Sequence, residues 1–303
     1  MTARNPLFPV GIRYHPVDSE HAGALAWYDD DPSADFASFR DAGMSLVRIL
    51  VSWRVFEQQV GQYDPDAEER LTRLIDAAGA SGLQVVVTLF GDDRLSDLTD
   101  LPWARKRDQR TDGYLIGRQT ALVQHIVNRF RTHRAVFAWD LADEAYCRGF
   151  SSAEELEVWA KSMRDAVREV DPSRPVGLSV DVEAFRQATG LDLSRALATF
   201  DFHATHRTAE YEAYAARGPL TTAPSTYLDG FLVRTARRAK QVLMDDVGVF
   251  GLDHSIGDEA AHTRSALYSG LMNRAAGVLL RRWRDVKTEE REPYFRDPLE
   301  QFV

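Results

Sequence analysis

Cysteine is almost absent: Cys147 is the single one among 303 residues, so no disulfide can form within the chain and a disulfide-stapled scaffold is excluded. A reducing compartment fits that scarcity, and the chain is expected to be cytoplasmic. No stretch approaches the roughly 18 unbroken apolar residues of a membrane-spanning helix. Met1 to Pro6 runs straight into a β-rich segment without a signal-type apolar region. Positive charge is also in deficit, with 37 Lys and Arg against 46 Asp and Glu and a formal net charge of −9; the arginines near Arg281 are too few to reverse it. Nucleic acid and anionic membrane, which need a local excess of Lys and Arg, are therefore not expected as partners. Linkers, repeats and low-complexity segments are lacking too, so residues 1–303 read as one domain. Its length suits a barrel better than a pair of smaller units.

What is present is an alternation of short, nearly uniformly apolar β-rich runs with longer amphipathic segments, the pattern of parallel βα units buried on both faces. The runs are Val10 to Tyr14, Leu46 to Val51, Gln84 to Phe90, Val136 to Leu141, Val176 to Val180, Phe200 to His206, Gln241 to Asp246 and Gly277 to Trp283. Helices are expected from the Asp64-Pro65 cap to near Gly82, then over Ile116 to Arg131, Ala153 to Val170, Asp229 to Ala239 and Glu259 to Ala275. Gly91 to Gly113 is a long irregular connection able to form part of a pocket wall. An open doubly wound sheet would alternate in the same way, but it normally carries a glycine-rich phosphate turn after its first strand. Arg13-Tyr14-His15-Pro16 offers side chains there and no nest of glycine amides. The expected fold is α/β, a (β/α)8 TIM barrel.

Barrel enzymes build their sites at the C-terminal ends of the strands, so the polar residues that close apolar runs carry the most weight. The fourth run closes on Asp143-Glu144 and the seventh on Asp245-Asp246. Paired acids repel one another, and partial burial raises a carboxyl toward the range useful for proton transfer. A helix N-terminus capped by acids is the plain alternative for Asp143-Glu144, and a structural ion pair with an arginine is the one for Asp245. Strands four and seven lie opposite in a barrel, so the two pairs can face each other across the mouth. Arg48 interrupts Val47-Arg48-Ile49 and is the natural counter-ion for such a carboxylate. His203 and His206 close the sixth run, suited to a sugar hydroxyl or a carboxylate. A metal is not assigned, since no third ligand is evident, and no cofactor is called for. Trp53 and Trp283, at or beyond strand ends, are candidate stacking faces for a sugar ring, whereas Trp103 and Trp139 read as core. Cys147 has no paired histidine motif that would mark a thiol nucleophile.

Several pieces stand in a characteristic order. They are Val47-Arg48-Ile49 with Trp53, Phe56-Glu57 and Gly61-Gln62-Tyr63-Asp64; Trp139-Asp140-Leu141 with Glu144; Asp201-Phe202 with His206; Val242-Leu243 with Gly248; and Pro293-Tyr294 with Glu300 and Phe302. Together they resemble glycoside hydrolase clan A, and within it the family 5 cellulase and mannanase branch, over nearly the whole chain. In that family the fourth strand ends in Asn-Glu, the Glu being the acid/base. The seventh ends in a Glu nucleophile just before an aromatic residue and a glycine. The resemblance implies Glu144 as acid/base and Asp246 at the nucleophile position.

This chain departs from the pattern at three places. Asp143 stands where the family has Asn, Asp246 where it has Glu, and Arg281 near where it carries an aromatic platform. One methylene less withdraws a carboxylate by about 1.5 Å. By strand alternation Arg281 and Trp283 share a face, which suits an anionic group on the ligand; pairing of Arg281 with Asp245 or Asp246 is the equal alternative. The expected function is therefore a glycoside hydrolase-like enzyme for a small glycoside, anionic or modified. Glu144 would be acid/base and Asp246 nucleophile or water-activating base, with Arg48, Trp53, Asp143, His203, His206, Asp245, Arg281 and Trp283 around the substrate. A glycosidase fold turned to isomerisation, elimination or transfer, or a sugar-binding protein without catalysis, are the alternatives. A small carbohydrate is the expected partner, and nothing in the sequence sets an oligomeric state.

Overall fold

The apolar runs close into a parallel barrel in the order β1 to β8, in a computed structural model that describes residues 8–14, 31–91, 101–147, 149–180, 197–208, 233–234, 241–248 and 256–281. The strands are β1 (Val10–Arg13), β2 (Leu46–Leu50), β3 (Gln84–Phe90), β4 (Val136–Ala142), β5 (Val176–Ser179), β6 (Phe202–Thr208), β7 (Val242–Gly248) and β8 (Gly277–Leu280). β1 pairs with both β2 and β8, which leaves no open edge. The expected strands coincide with these apart from a residue or two at their ends and β8, which stops at Leu280. The (β/α)8 TIM barrel read from the alternation is the observed fold.

The helices follow from local chemistry. They are α1 (Ser33–Asp41), α2 (Trp53–Phe56), α3 (Pro65–Ala80), α4 (Gly113–Phe130), α5 (Glu144–Cys147), α6 (Ala153–Val170) and α7 (Ile256–Met272). The Asp64 carboxylate caps α3 by accepting from the amides of Asp66 and Ala67, and Gly82 takes the left-handed φ of +79° just beyond the helix end. α4 starts earlier than its apolar periodicity indicates, because Asp112 caps it by accepting from the amides of Tyr114 and Leu115. The expected helix Asp229 to Ala239 lies outside the described residues except for 233–234. Among the described residues no helix is long and apolar enough to cross a membrane.

Two apolar regions result. The larger lies between strands and helices, and holds Trp139, whose Nε1 donates to Asp171 at 3.0 Å. The smaller fills the lower lumen with Leu46, Val86, Ala138, Ala204, Leu243 and Leu279, packed with Phe202. A Cβ on Gly177 would stand 2.3 Å from the Phe202 ring, so that glycine makes room for it. Strand alternation then assigns every inner face.

His203 is corrected by this alternation. Ala204 belongs to the lumen, so His203, one residue earlier, lies on the opposite face of β6 and does not line the site. It is fully buried, and neither ring nitrogen has a hydrogen-bond partner among the described residues. Burial pushes it down to about 4, so it is held neutral. A histidine depressed in the fold leaves stability intact above its unfolded value of about 6.5 and draws it down as pH falls from there toward the folded value. His203→Leu is expected to keep or raise stability at about pH 8, by up to about 2 kcal/mol. It should also flatten the fall between about pH 6.5 and about pH 4, read by urea unfolding. A loss of stability at the higher pH, or an unchanged acid fall, would count against this placement.

Candidate active site

Two residues above the apolar floor, toward the C-terminal ends of the strands, the inner positions turn polar: Arg13, Arg48, Thr88, Asp140, Ser179, Asp245 and Arg281. Arg48 is the hub. It is 1% exposed, and its guanidinium reaches Asp140 at 2.6 Å, Asp143 at 3.4 Å, Asp245 in close contact, and Thr88 Oγ1 at 2.7 Å. Asp140 Oδ2 also accepts from Thr88 Oγ1 at 2.9 Å and Ser179 Oγ at 3.0 Å. Burial raises the Asp140 carboxyl above its usual range, and Arg48 with the two hydroxyls opposes that shift. One arginine from β2 thus holds acids from β4 and β7 across the lumen.

The mouth lies just above this layer. Asp143 follows β4, 1% exposed; its Oδ2 accepts from Arg13 Nη2 at 2.6 Å and its Oδ1 from the Glu144 amide at 2.9 Å. Glu144, 4% exposed, opens α5. The two readings of Asp143-Glu144 therefore coincide, since the pair both starts a helix and stands at the barrel mouth. On the far side Asp246 lies 3.8 Å from Arg13 Nη1. Asp246 has a left-handed φ of +56°, and the pairing of β7 with β8 shifts between Met244 and Val247. The additional residue lets Asp245 and Asp246 both aim inward, one at Arg48 and one at Arg13. Left-handed backbone costs roughly 1–2 kcal/mol outside glycine, though aspartate tolerates it better than most. Such strain is found preferentially at functional sites.

The sequence-derived candidates divide on this geometry. Arg48, Asp143, Asp245 and Asp246 come together, and Glu144 adjoins them. Asp245 is an ion-pair partner, and that partner is Arg48. Arg281 is half-buried at the end of β8, its Cβ 3.1 Å from where a side chain on Gly248 would start. Trp53 is corrected: it is fully buried, packs at 5.9 Å from Phe90 and 6.0 Å from Trp103, and donates Nε1 to Glu57 at 2.9 Å, so it serves the wall and offers no free face to a sugar. The backbone of His206 pairs with Asp245 in the polar layer, but its side chain lies outside the described residues, as does Trp283. Burial first, then the neighbouring acids Asp140, Glu144 and Asp143, push the Cys147 thiol well up, away from nucleophile chemistry. Arg13, Thr88, Asp140 and Ser179 were not among the candidates; the signal for them is their place two residues beyond the small apolar residue on each inner face.

Known proteins agree with this architecture. The chain is similar to the mannan endo-1,4-beta-mannosidase F of Aspergillus clavatus, 26% identical over 147 residues, which is 44% of this chain and 34% of that protein. It is similar also to the mannan endo-1,4-beta-mannosidase A of Podospora anserina, 25% identical over 118 residues, 38% of this chain and 31% of that one. The matches thus span about a third of either relative's length. Among solved structures, the exo-beta-1,4-mannosidase from Opitutaceae bacterium strain TAV5 superposes with a TM-score of 0.79 at 23% identity, covering 94% of this chain and 54% of that one. The GH5_18 protein from Streptomyces cattleya in complex with GlcNAc gives 0.78 at 21%, covering 94% and 72%. These two likenesses concern the fold. The family model for cellulase, glycosyl hydrolase family 5, matches residues 9–191, a span that includes β1 to β5 and Glu144 and stops before β6 to β8. With more than half of its length matched, the chain belongs to glycosyl hydrolase family 5.

Proposed function

We propose that this chain is a glycosidase acting on a small β-mannoside, with Glu144 as general acid/base and Asp246 as nucleophile or as the base for a water. The observation that carries the reading is that one guanidinium, Arg13, contacts the acid beside Glu144 and Asp246 at once, so the ends of β4 and β7 converge on a single mouth. Two carboxyls flanking a glycosidic bond are the minimum apparatus for its hydrolysis. The mannan-acting relatives support the sugar. Glu144 would protonate the leaving oxygen and, where Asp246 has attacked the anomeric carbon, then deprotonate the water that releases the sugar. Asp246 would attack the anomeric carbon, or activate a water if its shorter side chain leaves the wider gap of about 6.5–9.5 Å instead of about 5–5.5 Å.

Arg281 supports a second, narrower reading in which the sugar carries a carboxylate or another anionic group, because it directly follows β8, two residues beyond the lumen residue Leu279. Hydrolysis of 4-nitrophenyl β-mannoside, β-glucoside and β-glucuronide separates the two. Turnover is expected on the mannoside, falling by about 10²–10⁴-fold in Glu144→Gln and by at least as much in Asp246→Asn. Preference for the uronide that vanishes in Arg281→Leu would establish the anionic reading. The anomer first released, seen by proton NMR, assigns Asp246: β-mannose for a nucleophile, α-mannose for a base. Absence of turnover on every substrate by the unmutated chain would overturn the proposal. Binding without reaction would then favour a sugar-binding protein.

A further inference from the structure

We infer that Arg13 and Asp143 form a matched pair in this site, and that Arg13 is a positioning residue for Glu144 and Asp246. The inference rests on the reading of those two carboxylates as the reacting groups, but its structural half stands without it.

The hydrogen bonds of Asp143 fix what residue 143 can be. Its Oδ1 accepts from the Glu144 amide at 2.9 Å and from Arg48 Nη2 at 3.4 Å, and its Oδ2 accepts from Arg13 Nη2 at 2.6 Å. Both oxygens thus face donors. An asparagine here would have one acceptor and one donor; with its oxygen kept on the Glu144 amide, its NH₂ would be turned against the Arg13 guanidinium. Conversely, an aspartate without Arg13 would leave a carboxylate that is 1% exposed beside Glu144 without its 2.6 Å ion pair, while Arg48 stands farther off at 3.4 Å. Each residue makes the other necessary. Arg13 is itself 9% exposed and reaches from β1 to the ends of β4 and β7, neither of which is its neighbour in the sheet. It therefore fixes the Asp143 side chain, through it the start of α5 where Glu144 sits, and on its other nitrogen faces Asp246 at 3.8 Å.

The groups around Asp143 are Arg13 from β1, Arg48 from β2, Asp140 and Glu144 from its own segment, and Asp245 and Asp246 from β7. Arg13 lies among several acids, so its loss favours proton uptake by the remaining carboxyls.

A double-mutant cycle over Arg13→Gln, Asp143→Asn and the two combined tests the pairing, with Arg13→Lys as the charge-conserving control. Each single change is expected to lower the thermal midpoint by several degrees and kcat/KM on the aryl mannoside by about 10–100-fold. The double variant should recover at least tenfold of the product of the two losses, because it restores a neutral, donor-matched pair. Arg13→Gln should move the pH profile of kcat/KM upward, and Arg13→Lys should return part of that movement, which a merely structural role would not do. The thermal midpoints form their own cycle, so a chain that hydrolyses nothing still reports on the pair: coupled midpoints without turnover would refute the proposed activity and leave the pairing standing. Additive losses in the double variant, or an unmoved pH profile in an active Arg13→Gln, would overturn the inference.

Discussion

A single buried guanidinium organises this barrel. Arg48 stands inside the lumen at 1% exposure, in contact with Asp140, Asp143 and Asp245. An arginine in such a place persists only with its charge balanced and its donors satisfied, so the acids of β4 and β7 are obliged to converge on it. That obligation fixes the mouth. Asp143 reaches Arg48 itself, and Asp246, one residue beyond Asp245, inherits its position from its neighbour's contact.

Among the described residues each of the two arginines serves more than one acid. Arg48 is shared among three carboxylates and Arg13 between two, and the Asp140 carboxyl is raised by burial despite two hydroxyl donors. The left-handed backbone at Asp246 belongs to the same economy: two adjacent residues can both aim inward only where a bulge breaks strand alternation.

Much of this was legible in the sequence, and the reason differs from residue to residue. Strand buried on both faces writes itself as an apolar run, so the barrel was readable. Arg48 was readable for the opposite reason, as a charge interrupting such a run. Arg13, Thr88 and Ser179 were not, because each is unremarkable on its own strand and gains meaning only when neighbouring registers align it with Asp140 or Asp143. His203 and His206 are an odd number of residues apart and cannot share an inner face in a regular strand, so the two do not form one binding pair. Trp53 follows a strand end, yet α2 folds it into the wall against Phe90 and Trp103, a turn that sequence position alone does not disclose.

The claim that Arg48 holds the mouth together is tested most directly by urea unfolding of Arg48→Met beside the unmutated chain near neutral pH, with activity on the aryl mannoside recorded in parallel. Removing one member of a buried ion network leaves the others unbalanced, and the account predicts a loss of about 3–5 kcal/mol together with loss of turnover. A variant of unchanged stability that still turns over its substrate would contradict it.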